Sequence, residues 1–248
     1  MWQAIDVLSD LHLCALTPAT FDALRKHLAG TPADAVFILG DLFEAWVGDD
    51  ARREGFEAEC TAMLREAARR RAIAFMHGNR DFLIGPEWLA DCGISLLNDP
   101  TRLHAFGQRL LLTHGDLLCV DDVAYQRYRE EVRGADWAAA FLARPLAQRR
   151  LAVAQMREQS RAHQARLAPA AWFDVDTATS AQWLGTADAP TLVHGHTHRP
   201  GEHAVGPGLV RHVLSDWDFD APGRPPRGDV LRLSAQGLLR VAPAGAVR

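Results

Sequence analysis

Phe37-Ile38-Leu39-Gly40-Asp41-Leu42 places a glycine and a carboxylate directly after a run of apolar residues. An apolar run of this length, bounded by turn residues, predicts a buried strand of an α/β sheet. The carboxyl ends of such strands are where α/β folds present side chains to ligands. We therefore expect Asp41 to lie at a functional edge of the sheet.

The same arrangement, a short apolar strand followed by a polar turn, recurs at four other places. The turns are Asp10-Leu11-His12, His77-Gly78-Asn79-Arg80-Asp81, His114-Gly115-Asp116 and His194-Gly195-His196-Thr197-His198. A single Gly-Asp after a strand is most often an ordinary turn. Five such turns in one chain, nearly all built from metal-ligand residue types, indicate a shared site.

The order of predicted elements alternates between strand and helix at first and becomes rich in strands later. Strands are predicted at 4–8, 34–39, 72–76, 102–106, 109–113 and 191–193, and a helix is predicted with Thr17 as N-cap, Pro18 at its first position and Gly30 just past its end. Residues 209–214, 230–233 and 238–241 are predicted to be antiparallel strands around a Pro/Gly-rich loop. The pattern favours an α/β fold of two packed sheets flanked by helices.

Length and composition limit the possible classes. A chain of 248 residues suits one large α/β domain, or a domain with an insertion. The net charge of −4 gives no global basic field of the kind that a general nucleic-acid binder shows. The four cysteines are scattered and form no C-x-x-C pair, which argues against a zinc ribbon, a redox motif or a disulfide framework. No apolar run approaches the ~20 residues that span a bilayer, so we expect any membrane contact to be at the surface.

Residues 123–168 have a different composition from the rest of the chain. This segment holds nine arginines against four acidic residues, a net charge of +5, together with aromatic and aliphatic residues at helical spacing. It is predicted to be a helical insertion with cationic and apolar faces. It would either pack on the core as a plain helical pair or form a lid that offers positive charge and an apolar groove.

Seven side chains in the polar turns are candidate metal ligands: Asp10, His12, Asp41, Asn79, His114, His196 and His198. In an extended backbone, Asp10 and His12 would point to the same side. Carboxylate, imidazole and amide donors together suit Mn²⁺, Fe²⁺ or Zn²⁺ better than a thiolate site or a calcium cage. Seven groups are enough for two ions that share one carboxylate, and Asp41, alone at its strand end, is the natural bridge. Two such ions activate water and clamp a displacement at phosphorus, so the pattern predicts phosphoester or phosphoanhydride hydrolysis by a metal-activated hydroxide.

The five turns, in this order, resemble the signature of the calcineurin-like metallophosphoesterases. The resemblance runs from about residue 5 to 215. It implies a single domain over 1–248, a four-layer α-β-β-α sandwich of two mixed sheets with residues 123–168 as a helical lid. It also implies two divalent ions, with Mn²⁺ expected, one held by Asp10, His12, Asp41 and His198 and the other by Asp41, Asn79, His114 and His196.

A narrower resemblance is carried by the blocks at 43–50, 77–83 and 194–200. It is to the enzymes of this family that split the diphosphate of UDP-2,3-diacylglucosamine into UMP and 2,3-diacylglucosamine 1-phosphate in lipid A biosynthesis. It implies a peripheral protein on the cytoplasmic face of the inner membrane of a Gram-negative bacterium, with a lipid substrate and with neither nucleic acid nor an obligate protein as partner.

The narrower resemblance also implies roles for individual residues. Those expected to act in catalysis are Asp41, Asn79, Arg80 and His114. Those expected to contact the substrate are Asn79, Arg80, Asp122, Ser160, Gln164, Arg166, Leu167 and His196. Where that group would have an Asn-like residue and then a lysine, this chain has Gln164 and Leu167. We therefore expect Arg166 or Arg161 to replace the lysine.

Arg80 stands where many metallophosphoesterases carry a histidine that protonates the leaving group. Because its pKa is above 12, an arginine cannot donate a proton at neutral pH. We expect Arg80, aimed by Asp81, to hold phosphoryl oxygens instead.

Two other functions fit parts of the pattern. One is a broad phosphoesterase for nucleotides, phosphoproteins or nucleic-acid ends, although a nucleic-acid channel would interleave basic and stacking residues along an open groove. The other is a scaffold that has lost its metals, which is disfavoured because all seven ligand positions carry competent residues. Metal analysis of the purified protein separates such a scaffold from an enzyme.

Overall fold

Two β-sheets packed face to face form the centre of the protein. The computed structural model describes residues 2–164 and 173–245, without the side chains of residues 159, 161, 163 and 164. In spatial order, the first sheet contains β11 (Gly237–Val241), β10 (Val230–Ser234), β1 (Ala4–Leu8), β2 (Ala35–Leu39), β3 (Ala72–Met76) and β4 (Ser95–Leu96). The second contains β5 (Thr101–Ala105), β6 (Gln108–Leu112), β7 (Thr191–His194), β9 (Leu209–Val213) and β8 (Gly201–Gly206). Both sheets combine parallel and antiparallel pairs, as predicted for this fold class.

The described residues also form seven α-helices. They are α1 (Pro18–Gly30), α2 (Gly55–Ala68), α3 (Pro86–Cys92), α4 (Val123–Val132), α5 (Ala135–Leu142), α6 (Leu146–Gln164) and α7 (Thr177–Ala187). No helix in the described ranges is long and apolar enough to cross a bilayer. The chain between β6 and β7, two neighbouring parallel strands, contains α4 to α7. Residues 123–164 therefore form three helices inside one crossover.

Alternation along the strands explains the layers. In β2, Val36 and Ile38 face α1 and α2, where they pack against Leu24 and Leu64. The intervening Phe37 faces the other way, into the layer between the sheets. The outer face of the second sheet packs against α7 in a third cluster. A strand buried on both faces has no polar alternation, which is why its sequence is a continuous apolar run.

The C-terminal strands differ from their prediction. β9 and β10 lie in different sheets, so the Pro/Gly-rich loop between them connects sheets and does not close a hairpin. β9 pairs in parallel with β7 and antiparallel with β8, a strand that the sequence analysis did not identify. β10 and β11 alone form the expected antiparallel pair.

The start of α1 lies where it was predicted, with Thr17 at the N-cap position and Pro18 as the first helical residue. The capping hydrogen bond differs, because the Thr17 hydroxyl donates to the carbonyl of Cys14 at 3.0 Å and caps no helical N–H. The cap is Asp220, whose carboxylate accepts from the backbone N–H groups of Ala19 and Thr20 at 2.8 and 2.9 Å. Gly30 is the last helical residue and does not lie past the end.

Candidate active site

The seven predicted ligand residues lie together at the carboxyl ends of five strands, three in the first sheet and two in the second. Asp10 and His12 follow β1, Asp41 follows β2, Asn79 follows β3, His114 follows β6, and His196 and His198 follow β7. Both sheets therefore contribute to one site, which lies at the carboxyl ends of these strands.

The backbone is left-handed at five of these seven residues. The φ angles of Asp10, His12, Asp41, His196 and His198 are 55°, 48°, 52°, 65° and 52°. Such angles are uncommon for residues other than glycine and concentrate at functional sites. Asp10 and His12 lie close together as predicted, but the predicted extended backbone was wrong, because both residues lie in a tight turn.

Two glycines let these turns approach each other closely. A Cβ atom on Gly78 would lie 2.1 Å from Asp41 Oδ1, and a Cβ atom on Gly195 would lie 2.2 Å from Asp10 Oδ2. Real Cβ atoms essentially never come so near, so any larger residue would displace a candidate ligand. The glycine of each block is thus part of the site's construction.

Asp10, His12 and His198 form the first group of donors. His198 Nε2 lies 3.4 Å from Asp10 Oδ1 and 3.2 Å from His12 Nε2. His198 Nδ1 faces Asp216 Oδ2 at 3.5 Å. A carboxylate at Nδ1 favours the tautomer whose Nε2 lone pair is available to a metal. Sequence reasoning missed Asp216, because no local motif links it to the histidine.

Asp41, Asn79, His114 and His196 form the second group. Asn79 Oδ1 lies 3.0 Å from His114 Nε2 and 2.9 Å from His196 Nδ1, and His114 Nε2 lies 3.8 Å from Asp41 Oδ1. His114 Nδ1 donates to the carbonyl of Leu39 at 2.9 Å, which leaves Nε2 unprotonated toward the site in the neutral ring.

Asp81 supports the turn at Asp41. Its carboxylate accepts backbone N–H groups from Leu42 at 2.7 Å, Gly78 at 2.9 Å and Asp41 at 3.3 Å. The expectation that Asp81 aims the Arg80 side chain was wrong, because both of its oxygens are used by the backbone. Asp41 contacts Arg80 instead: its Oδ1 accepts the backbone N–H of Arg80 at 2.8 Å, and its Oδ2 lies 3.7 Å from the side-chain Nε.

Protonation differs among the histidines of the site. Burial lowers the pKa of His114, but the nearby Asp41 and Asp116 outweigh it and raise that pKa to about 9. Burial also opposes protonation of His198, but contact with Asp10 outweighs it and raises the pKa of that ring. Burial lowers the pKa of His196 to about 3 and holds the pKa of His12 well below its usual value, so both rings are neutral. At Asp10 burial opposes ionisation, but contact with His198 outweighs it and keeps the pKa well below its usual range. Burial raises the pKa of Asp41 to about 6, against the charges of His114 and Arg80.

These donors fit divalent metal ions. One donor atom from each of Asp10, His12 and His198 lies within 4.8 Å of the others, and the same holds for Asp10, Asp41 and His114. Carboxylate oxygens and imidazole nitrogens at these spacings can bind an ion at the usual distance of about 2.0–2.2 Å. Buried carboxylates that face several imidazoles have the donor chemistry of a cation site.

Comparison with known proteins gives the family. The sequence profile described as Calcineurin-like phosphoesterase matches residues 4–200. The chain is a calcineurin-like phosphoesterase. Relatives from Chromobacterium violaceum and Bordetella pertussis, both named UDP-2,3-diacylglucosamine hydrolase, are each 42% identical to it. The alignments cover 98% of this chain and 100% of the first relative, and 96% and 93% for the second. A solved archaeal phosphodiesterase superposes with a TM-score of 0.48 at 12% identity, covering 96% of this chain and 98% of the other.

This phosphoesterase has a cavity of about 640 Å³ beside the ligand cluster. Its wall includes Asn79, Arg80 and His196 from the metal turns and Asp122 and Ser160 from the inserted segment. Most of the rest is apolar: Trp46, Phe82, Leu83, Trp137, Phe141, Val153, Met156 and Phe173. The side chain of Gln164, and Arg166 and Leu167 altogether, lie outside the described residues.

The inserted helices are attached to the turns that carry the candidate ligands. The hydroxyl of Tyr125 and Nε of Arg129, both on α4, donate to buried Asp116 at 2.6 and 2.7 Å. Arg133 donates to the carbonyl of Gly78 at 2.8 Å. Asp116 lies two residues after His114, so α4 is fixed directly to two metal turns. Apart from the acidic residue itself, no sequence motif indicates this link.

Most described arginines of the insertion are used to attach it. On α6, Arg149 pairs with Asp50, Arg150 with Glu54, and Arg157 with Glu44. Arg129 on α4 and Arg133, which directly follows that helix, lie against Asp116. The predicted cationic face therefore mainly neutralises acids of the core. Arg80, from the core itself, is the cation that the cavity wall presents beside Asp41.

Proposed function

We propose that this phosphoesterase hydrolyses the diphosphate of UDP-2,3-diacylglucosamine to UMP and 2,3-diacylglucosamine 1-phosphate. The observation that carries the proposal is the large apolar cavity that opens directly onto the ligand cluster. A substrate with a diphosphate and two acyl chains needs both features side by side. The names of the two relatives at 42% identity support the same substrate.

Two divalent ions, Mn²⁺ in this proposal, would be held by the seven donors, with Asp41 shared between them. Asp10, His12 and His198 would complete one set, and Asn79, His114 and His196 the other. When bound, such a pair supplies activated water and neutralises the charge that develops on phosphoryl oxygens. The convergence of Asp10, Asp41 and His114 supports a shared carboxylate, because Asp41 lies within reach of both sets.

Arg80 would hold the phosphoryl oxygens of the substrate. Its Nη1 is buried and has no hydrogen-bond partner in the described part of the chain, while the residue lines the cavity. An unpartnered guanidinium N–H at this position is a donor for an anionic oxygen. Arg80 cannot protonate a leaving group at neutral pH, and a sugar 1-phosphate leaves without needing a proton.

The acyl chains would occupy the apolar end of the cavity, between the core and the inserted helices. Trp46 and Phe82 line it from the core, and Trp137, Phe141 and Met156 line it from the insertion. Each buried CH₂ contributes about 0.8 kcal/mol, so chain burial dominates substrate affinity. Asp122 and Ser160 would contact the polar part of the lipid, and Gln164, Arg166 and Leu167 would add further substrate contacts. Residues 123–168 would thus act as a lid on a single domain, and the enzyme would take its substrate at a membrane surface as a peripheral protein.

The test is release of UMP from UDP-2,3-diacylglucosamine by the purified protein, with added Mn²⁺ and after chelation. We expect turnover that requires the metal, and a kcat/KM at least about 100-fold higher for the diacyl substrate than for deacylated UDP-glucosamine. Equal kcat/KM for the two would contradict the role of the cavity. Comparable turnover of a DNA phosphodiester, measured side by side, would favour a broad phosphoesterase instead.

A further inference from the structure

One of the two ring nitrogens of His12, Nδ1, has no hydrogen-bond partner among the described residues. Its Nε2 faces the donor cluster, 3.2 Å from His198 Nε2. Its Nδ1 is buried and makes no hydrogen bond with the described residues. If Nε2 binds an ion, Nδ1 must carry the proton, and metal-binding histidines nearly always donate that proton to an oxygen. We therefore expect a hydrogen-bond acceptor for Nδ1 on the side of the ring that faces away from the ions.

Glu44 supplies the nearest carboxylate on that side. Its Oε2 lies 3.5 Å from His12 Nδ1, closer than Asp41 Oδ2 at 4.0 Å. The backbone fixes this proximity, because Phe43 bridges to Leu13 and the Glu44 N–H donates to the carbonyl of Leu13 at 3.1 Å. Leu13 directly follows His12, so a shift of a few tenths of an ångström in the side chains completes the hydrogen bond.

The other oxygen of Glu44 is held by the inserted helix α6. Arg157 donates from Nε and Nη2 to Glu44 Oε1 at 2.8 and 2.7 Å. Both side chains are mostly buried, with exposed fractions of 17% and 24%. A charge-assisted pair in a half-buried setting is stronger and less screened than a surface pair. One carboxylate thus lies between a cavity-lining arginine and a candidate metal ligand.

We propose that Glu44 is a positioning residue that accepts the His12 Nδ1–H and couples the docking of α6 to the metal site. With α6 docked, Arg157 fixes the Glu44 carboxylate, and Glu44 fixes the tautomer and the orientation of the His12 ring. When α6 moves away, the ring loses that restraint and the ion at Asp10, His12 and His198 is bound more weakly. This inference rests on the proposed function, because it requires an ion at His12.

The test is Mn²⁺ binding to the metal-free full chain, measured by titration calorimetry without substrate. Glu44→Gln keeps the size of the side chain and removes its charge, and Arg157→Gln removes the arginine that holds it. We expect each to weaken binding at one of the two sites by about 10-fold or more, the effect of losing such an outer partner. In the double variant, Arg157→Gln should add nothing to Glu44→Gln, because the arginine acts through Glu44.

Arg150→Gln is the matched control. Arg150 lies on the same helix, pairs with Glu54 and Glu57 of the core, and touches no candidate ligand among the described residues. We expect wild-type Mn²⁺ affinity from it, and recovery of Glu44→Gln activity when Mn²⁺ is raised above the weakened dissociation constant. Wild-type affinity in Glu44→Gln would overturn the inference while leaving the metal site standing. Absence of Mn²⁺ binding in the wild type would overturn the proposed function as well.

Discussion

At the scale of single residues, the site depends on glycines, which have no side chain, as much as on the ligand residues. Gly78 is the clearest case, because the carboxylate and backbone of Asp41 occupy the space that a Cβ atom at position 78 would need. A metal-ligand pattern read from the sequence identifies the aspartate and the asparagine. It does not reveal that the residue between strand and ligand has no room for a methyl group.

We predict that Gly78→Ala displaces Asp41 and lowers activity by about 100-fold, the cost of misplacing a reacting group by about an ångström. Mn²⁺ content after dialysis should fall together with activity. Gly185→Ala is the control, since Gly185 lies in α7 and no side chain lies within 4 Å of the position that its methyl group would take. That variant should keep full activity and gain up to about 1 kcal/mol in stability. Equal activity of the two variants would disprove the packing argument.

Arg80 gives a second prediction at this scale. Arg80→Lys keeps the charge but loses the planar fork that can hold two oxygens, so kcat should fall by about 100-fold. Metal content should stay at the wild-type level, because Asp41 accepts the backbone N–H of Arg80 and not only its side chain. Steady-state kinetics combined with metal analysis measures both. Loss of metal together with kcat would instead make Arg80 part of the support of Asp41.

At the scale of elements, the predictions that are confirmed are those that depend on local sequence. β1, β3 and the hairpin of β5 and β6 are close to their predicted bounds, because an apolar run with turn residues at both ends specifies a strand by itself. The errors depend on distant parts of the chain. The cap of α1 comes from Asp220, 200 residues after Thr20, and nothing near Thr17 indicates it.

The same difference between local and distant signals separates the candidate ligands, which the sequence identifies, from the acidic residues that hold them in place. Asp10, His12 and His198 are recognisable because each follows a strand in a short polar turn. Asp216, Asp116 and Glu44 support the ligands from elements whose relative placement only the fold determines. Asp216 lies outside every quoted block, and acidic residues are usually on the surface, so its sequence gives no reason to select it. Asp116 and Glu44 lie within quoted blocks, but those blocks do not indicate which ligand each one supports.

We predict that Asp220→Ala destabilises the protein by about 1–2 kcal/mol, the usual cost of losing an N-cap. It removes the acceptor for two backbone N–H groups and for the hydroxyl of Thr20, which is buried. Denaturant unfolding measures the change. Asp22→Ala, at a partly exposed acid of the same helix, should change stability by no more than about 0.5 kcal/mol. Similar losses in the two variants would mean that the distant cap is unimportant.

At the scale of the whole molecule, a buried charge links the two ends of the chain. Asp6 on β1 is fully buried and binds Arg232 on β10 at 2.7 and 2.8 Å. Burial opposes its ionisation, but hydrogen bonds from Arg232, His27 and Thr31 outweigh burial and hold its pKa well below the ordinary value of 3.8. A depressed folded pKa stabilises the protein above the unfolded pKa.

We therefore predict that the contribution of Asp6 is complete above about pH 5 and is lost as the pH falls through 3.8 toward the folded pKa. Asp6→Asn should cost about 3 kcal/mol at about pH 7, because it leaves Arg232 without its charge partner. Its stability should also fall less steeply than that of the wild type below about pH 5. Unfolding measured from acid to neutral pH gives both numbers, and parallel curves would rule out Asp6 as the acid-sensitive group.

The place of β1 in its sheet has a consequence for synthesis. β1 carries the first two candidate ligands on its turn and lies between β2 and β10. A ribosome adds about 5–20 residues per second, so the 226 residues that separate Asp6 from Arg232 take roughly 10–45 s to make. During that time one edge of an apolar strand has no partner, and such an edge can pair with other chains. A chain truncated before Val230 would keep this edge unpaired, so we expect it to aggregate and not to give a partly active enzyme.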